Sequence, residues 1–331
     1  MPFSCRTHRF SALAATAALA LTTLTACGSD GGGGGGAGGD AGSGPAEITL
    51  GVIPIIDIAP VKLGIEQGIF ADHDLELTLQ ESQGGAAIVP GVISGDFQFG
   101  YSNLVSLLIA KGEDVPVELI SVGARASDDP LDDGSGQLMT VDPALTEVED
   151  LRGATIAVNT LLGINEVAVR ATLEEHGLVR DDVTLVEVPI PNMPAALASG
   201  DVDAAMMSEP FITVTEEQGG HALPVSYAAM GANLPFAGWF AAEPYAAQNP
   251  EVVERFQAAL EESLRYAEAH PDEARATLNS YLDLADGISE AVTLPGWDPT
   301  TDRAEIEHLA QLSVDAGLIA DLAPLDALFT D

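Results

Sequence analysis

The chain reads as an α/β protein with two similar lobes, and three observations carry that reading. From Ile48 onward, β-rich apolar runs alternate with helix-forming runs, the pattern of mostly parallel sheets covered by helices. A helix, a Gly-Asp step and a strand-like run follow one another twice, at Ser94-Gly95-Asp96 and at Ser199-Gly200-Asp201. These steps lie 105 residues apart, and the first strands of the two halves, at Gly51 and Gly153, lie 102 apart. Two landmarks at nearly one offset imply a duplication, and two lobes imply a cleft between them. A length of 331 residues, 47% of them hydrophobic, is enough for two domains with cores of their own.

The N-terminus comes first in chain order. Arg6, His8 and Arg9 form a basic region, Ser11 to Leu24 an apolar one, and Leu24-Thr25-Ala26-Cys27 closes it. This is the layout of a secretory signal peptide; the closing residues resemble a bacterial lipobox, which makes Cys27 the lipidation site and 1–27 the signal. An ordinary signal cut near Ala26 is the alternative. The apolar run is short for a membrane span. Cys5 would leave with the signal, so no internal disulfide is expected. Residues 28–45, with six consecutive glycines at 31–36, read as a flexible tether. They do not read as a phosphate loop, because no strand precedes them.

The first lobe is expected at 46–135 and 236–331, the second at 136–235. Ile48 to Ile53 reads as a strand, Val61 to Gln67 as a helix closed by Gly68, and Leu75 to Leu79 as a second strand. Gly84 to Ile93 reads as a helix that Gly95 can end in the left-handed conformation. Phe97 to Tyr101 then alternates like a strand, and Ser102-Asn103 can cap the helix Leu104 to Ala110. Leu119 to Val122 is a further strand. In the second lobe, Gly153 to Val158 and Val183 to Val188 are the strands. Asn165 to His176, stopped by Gly177, and Met193 to Ala198 are the helices. After Asn249, Pro250 suits the first turn of a helix, in which Val252, Val253, Phe256, Ala259, Leu260 and Leu264 make one apolar stripe.

Composition removes some functions. The formal net charge is −39, with 12 basic against 51 acidic residues. Such a chain lacks the clustered Lys and Arg that nucleic acid or anionic lipid requires. No Gly-x-Ser-x-Gly, His-Glu-x-x-His, Ser-x-x-Lys or phosphate-loop motif occurs, so no catalytic residues are expected. The histidines show no metal-ligand spacing. The run Asp128, Asp129, Asp132, Asp133 lacks the alternation of a calcium loop and reads as a solvated loop, so neither a metal nor a cofactor is expected.

In open α/β sheets ligands sit beyond the carboxyl ends of the strands, where helix N-termini offer free N–H groups. Four turns fall there: Ile56-Asp57, Gln83-Gly84-Gly85, Ser102-Asn103 and Asn159-Thr160. Gly84-Gly85 lets backbone approach a ligand closely; Ser102, Asn103, Asn159 and Thr160 supply neutral polar groups that can equally cap their own helices. Asn165 caps its helix or points into the cleft, the cap being the simpler reading. Arg125 is the first lobe's cation near the cleft, and either meets an acidic ligand or pairs with the neighbouring aspartates. Glu209 accepts from a cationic ligand group or pairs structurally between the lobes. Trp239 stacks on a planar ligand or is buried beside a hinge.

Several segments in this order resemble a known family. They are Asp57-Ile58-Ala59-Pro60, Gly68-Ile69-Phe70, Ser94 to Gly100, Asp150 to Val158, Ser199 to Ala204 with Glu209-Pro210-Phe211, and Asn249-Pro250-Glu251. They resemble the substrate-binding proteins of bacterial ABC importers, in the nitrate/sulfonate/taurine branch that also resembles binding proteins for thiamine pyrimidine precursors. The resemblance implies a periplasmic-binding-protein type II-like fold, with two Rossmann-like lobes, a hinge and an interlobe cleft. It also implies capture of a small anionic or small organic solute and delivery to ABC permease subunits. With the lipobox, it implies an extracytoplasmic monomer held at the cell membrane through its N-terminal lipid alone. The alternatives are an enzyme on the same fold, of the thiamine-precursor synthase or menaquinone-pathway dehydratase type, and a sensory or partner-docking lipoprotein.

Overall fold

A computed structural model of the protein describes residues 44–300 and 302–329. The signal peptide, Cys27 and nearly all of the tether lie outside the described residues. Among those described, no helix is long and apolar enough to cross a membrane.

The chain opens with β1 (Ala46–Val52), helix α1 (Ala59–Gln67) and β2 (Leu75–Glu81). Gly68 ends α1 with φ 80°, a conformation that costs glycine little. Helix α2 (Gly85–Ser94), β3 (Phe99–Asn103), helix α3 (Leu104–Gly112) and β4 (Val117–Arg125) follow. The chain then crosses to β5 (Gln137–Thr140), β6 (Thr155–Val158), helix α4 (Ile164–Glu175), β7 (Thr184–Glu187), helix α5 (Met193–Ser199), β8 (Ala204–Met207) and β9 (His221–Ser226). It returns as β10 (Pro235–Ala242) and ends mainly in helices, among them α6 (Pro250–Ala269) and α7 (Arg303–Asp315).

Two five-stranded sheets result, ordered β2-β1-β3-β10-β4 and β7-β6-β8-β5-β9. They follow one plan. β1 pairs in parallel with β2 and β3, as β6 does with β7 and β8. The offset between paired residues is 29 in both halves, Ala46 with Leu75 and Thr155 with Thr184. β10 lies antiparallel between β3 and β4, and β5 antiparallel between β8 and β9. Each sheet therefore holds four strands that run one way and a single opposed strand, β10 or β5, the first strand after a crossing, so the sheets are mostly parallel as expected.

The two Gly-Asp steps are structural twins. Gly95 and Gly200 both sit at positive φ after α2 and α5. Ser94 donates to Asp96 at 2.8 Å, and Ser199 to Asp201 at 2.7 Å. The following strand starts later than its alternation suggests. Phe97 stays in the turn with its ring against Gly51 and Gly91, where a Cβ would come within 2.7 and 2.4 Å of it. Gln98 fastens that turn by accepting from the Thr49 N–H at 2.8 Å.

The stripe of α6 packs on the first sheet. Phe256 stacks on Phe99 with centroids 3.9 Å apart and meets Trp239 edge-on at 6.0 Å; such pairs add about 0.5–1.5 kcal/mol each beyond the area they bury. Helix α7, expected in the first lobe, packs on α3 and β10 and also on α4. There Arg170 donates to the carbonyl of Ala316 at 2.6 Å.

Candidate functional site

The turns beyond the carboxyl ends of β2 and β3 meet those beyond β6 at the cleft between the lobes. At its rim the lobes touch. A Cβ placed on Gly84 would lie 2.8 Å from Thr160 Cγ2 and 3.7 Å from Asn159 Nδ2, and one on Gly163 would lie 3.7 Å from Ser106 Oγ. The close approach foreseen for Gly84 thus meets the opposite lobe. Gly85 is pressed against its own lobe, since a Cβ there would meet Ser102 Oγ at 2.1 Å. Helix α2 starts with no side-chain cap, so its first N–H groups point out of the turn without a side-chain acceptor. Gln83 beside it is exposed.

Where the lobes meet, the buried polar groups form two sets, one from each lobe. Asp57 is buried in the turn after β1 and accepts from the Tyr101 hydroxyl at 2.9 Å through Oδ2, while its Oδ1 has no partner. Burial raises its pKa from the ordinary 3.8 to about 7; the Tyr101 bond opposes that rise and the charge of Asp133 adds to it. Ile56 precedes it, fully buried, and donates its N–H to the Glu209 carbonyl at 3.0 Å. From the second lobe, Tyr227 donates to Asn165 Oδ1, and Asn165 Nδ2 donates to Asn159 Oδ1 at 3.0 Å. Asn159 Oδ1 also accepts from the Thr160 N–H at 2.9 Å. Tyr227 and Tyr281 both lie within electrostatic range of Asp57, whose charge raises their pKa values after the larger effect of burial.

The other expected site residues divide. Asn103 caps α3, accepting from the Ser106 N–H at 2.9 Å, and Ser102 is fully buried with its hydroxyl directed to the Asn103 carbonyl at 3.3 Å. Asn165 does not cap α4; Gly163 holds that position, which frees the Asn165 amide for the network above. Glu209 meets no cation. Its carboxylate accepts from the Thr213 N–H at 3.0 Å, the Thr213 hydroxyl at 2.8 Å and the Thr293 N–H at 3.2 Å, and burial raises its pKa to about 7. It is a clip between segments.

One expectation is corrected, and for Trp239 the reading as a buried residue replaces the ligand one. Arg125 faces neither the cleft nor the aspartates that follow it. It is buried under the C-terminal segment, donating to the carbonyls of Asn233 at 3.1 Å, Asp298 at 3.2 Å and Thr300, and to Glu305 at 2.9 Å. Four acceptors use its planar donor set, so it holds the C-terminus and is not available to a ligand. Trp239 is fully buried between Tyr101 and Phe256, because β10 is covered on both faces, and no ligand can stack on it there.

The acidic run is also more ordered than a solvated loop. Asp133 is buried and accepts from the N–H groups of Ser127 at 3.3 Å, Ser135 at 3.1 Å and Ala228 at 2.7 Å. It ties together the two crossings between the sheets, which also pair through Ala126 with Leu234 and Asn233 with Ser127. Among the described residues no cluster of His, Cys, Asp and Glu is placed to hold a metal ion.

Residues 55–274 match the family described as NMT1/THI5 like. The chain belongs to the NMT1/THI5-like family. A taurine-binding periplasmic protein of Escherichia coli strain K12 is 24% identical over 238 residues, covering 72% of this chain and 70% of that protein. A 4-amino-5-hydroxymethyl-2-methylpyrimidine phosphate synthase of Aspergillus parasiticus is 24% identical over 239 residues, 68% of this chain and 66% of that one. The alkanesulfonate-binding protein SsuA of Xanthomonas axonopodis pv. citri, solved with MOPS bound, superposes with a TM-score of 0.69 at 17% identity, over 87% of this chain and 96% of that chain. The fold is that of the two-lobed periplasmic binding proteins.

Proposed function

We propose that this NMT1/THI5-like protein is the extracytoplasmic solute-binding component of an ABC importer. Its lobes, 46–135 with 236–331 and 136–235, close on a small solute and present it to permease subunits. The observation that carries this reading is that polar groups of both lobes meet at one seam: Asp57 with Tyr101 on one side, the Tyr227–Asn165–Asn159 chain on the other, and the Gly84–Thr160 contact beside them. Both lobes contribute to it, so a ligand that completes it stabilises the closed state over the open one. Taurine-binding and alkanesulfonate-binding proteins among the similar proteins make taurine, a sulfonate, nitrate, a carboxylate or a pyrimidine the candidate solute. Within it, Asp57, Gly84, Asn159, Thr160 and Asn165 are the residues proposed to meet the ligand.

Lipidation at Cys27 and the tether 28–45 would hold the monomer beside its permease and leave the lobes free to move. The synthase among the relatives makes turnover the second reading. Capture is preferred because the buried acids other than Asp57 are engaged, Glu209 and Asp133 each by three donors.

A thermal-shift screen of the purified protein against taurine, alkanesulfonates, nitrate, small carboxylates and pyrimidines tests the proposal. A solute at 100 times its Kd is expected to stabilise the protein by about 2.7 kcal/mol. A melting curve that none of them moves contradicts the assignment, and product formation from a bound solute would favour the enzyme.

A further inference from the structure

We propose that the ligand carries a protonated amine or an N–H edge that donates to Asp57 Oδ1, so that the cleft selects amine-bearing solutes over simple oxyanions. This rests on the solute-binding reading and narrows it. The carrying observation is geometric. Asp57 is 3% exposed, its Oδ2 is held by Tyr101, and its Oδ1 is left without a partner. A buried carboxylate oxygen in that state is costly unless a donor arrives.

The surroundings supply no such donor. Tyr101 from β3 is already bonded to the other oxygen. Tyr227, from the short helix after β9, gives its hydroxyl hydrogen to Asn165, and Tyr281 gives its own to the Ile55 carbonyl at 3.0 Å. Asp133, from the crossing segment, adds negative charge. The Glu209 carboxylate is turned to Thr213 and Thr293. Lys62 lies over the Tyr281 ring, 5.7 Å from its centroid, and no basic side chain forms an ion pair with Asp57 among the described residues. With Arg125 committed elsewhere, this part of the cleft holds acids and hydroxyls and no basic partner.

In its ionised form Asp57 repels nitrate or a bare sulfonate placed against it, and it attracts an ammonium or an exocyclic amino group. The uncapped start of α2 at Gly84-Gly85 offers N–H groups of the opposite polarity. Amino-sulfonates, amino acids and aminopyrimidines share the donor that Asp57 lacks. The raised pKa of Asp57 fits the same picture: an ammonium beside it favours the ionised form, so binding an amine near pH 6 should release a proton.

Matched probes test this by calorimetry: taurine against isethionate and ethanesulfonate, 4-amino-2-methylpyrimidine against 2,4-dimethylpyrimidine, and nitrate. In the wild-type protein one amine is expected to bind about 10- to 100-fold more tightly than its amine-free partner. Taurine is further expected to release a proton at pH 6, read from buffers of different ionisation enthalpy, if it is the amine bound. In Asp57→Asn the preference should collapse. If that variant does not fold, the wild-type ratio decides alone. Amine-free probes that bind as tightly as the amines overturn the inference and leave solute capture standing. Failure of every probe in the series to bind removes both.

Discussion

Burying a carboxylate with one hydrogen-bond donor raises the free energy of its charged form, and Asp57 is in that position. Unfolded, the group releases its proton near 3.8; folded, it keeps it up to about 7. The folded state therefore binds more protons between those values, and stability falls as pH rises through that window. Asp57→Asn removes this term. The wild-type protein without ligand is expected to lose about 3 kcal/mol more than the variant between pH 5 and pH 8, measured by urea unfolding at each pH; parallel losses would show that Asp57 is not buried as described. Sequence placed Asp57 at a turn where the ligand was expected but gave its carboxylate no role of its own. It gave no sign of Tyr101 and Tyr227 as polar partners, because aromatic residues in apolar runs look like core. Arg125 was misplaced, and Trp239 left open between ligand and core, for the converse reason: their chemistry suits a ligand, but their partners, such as Glu305 and Phe256, lie far along the chain.

Element boundaries were more legible, since they follow from local chemistry. Gly68, Gly95, Gly177 and Gly200 were placed as helix stops, and all four adopt positive φ. The antiparallel strands β5 and β10 were not foreseen as sheet members. Both are buried, and their direction is set by the crossings between sheets, which no local pattern encodes. The glycine that matters for function is Gly84 at the start of α2. A side chain there meets Thr160 of the other lobe, so Gly84→Val is expected to weaken solute binding about 10-fold by opposing closure while leaving thermal stability without ligand nearly unchanged. Adding Thr160→Ser should restore part of the loss. Binding that is unchanged in Gly84→Val would mean that the lobes do not close through this contact.

At the scale of the whole molecule, the duplicated sheets leave two crossings as the natural hinge, and Asp133 fastens them to each other. Helix α7 bridges the lobes behind the cleft through the Arg170–Ala316 bond. The doubling was legible from the two Gly-Asp steps; the hinge was not, because its bonds join residues about 95 positions apart, as in Asp133 with Ala228. This layout leads to one claim, that the ligand sits between the lobes and completes a network which each half holds incompletely. A crystal structure with the tightest solute of the screen tests it most directly. The expected result is solute density between the lobes, inside the Gly84–Thr160 contact, with a ligand donor within hydrogen-bond distance of Asp57 Oδ1. Density elsewhere, with the cleft closed and empty, would contradict it.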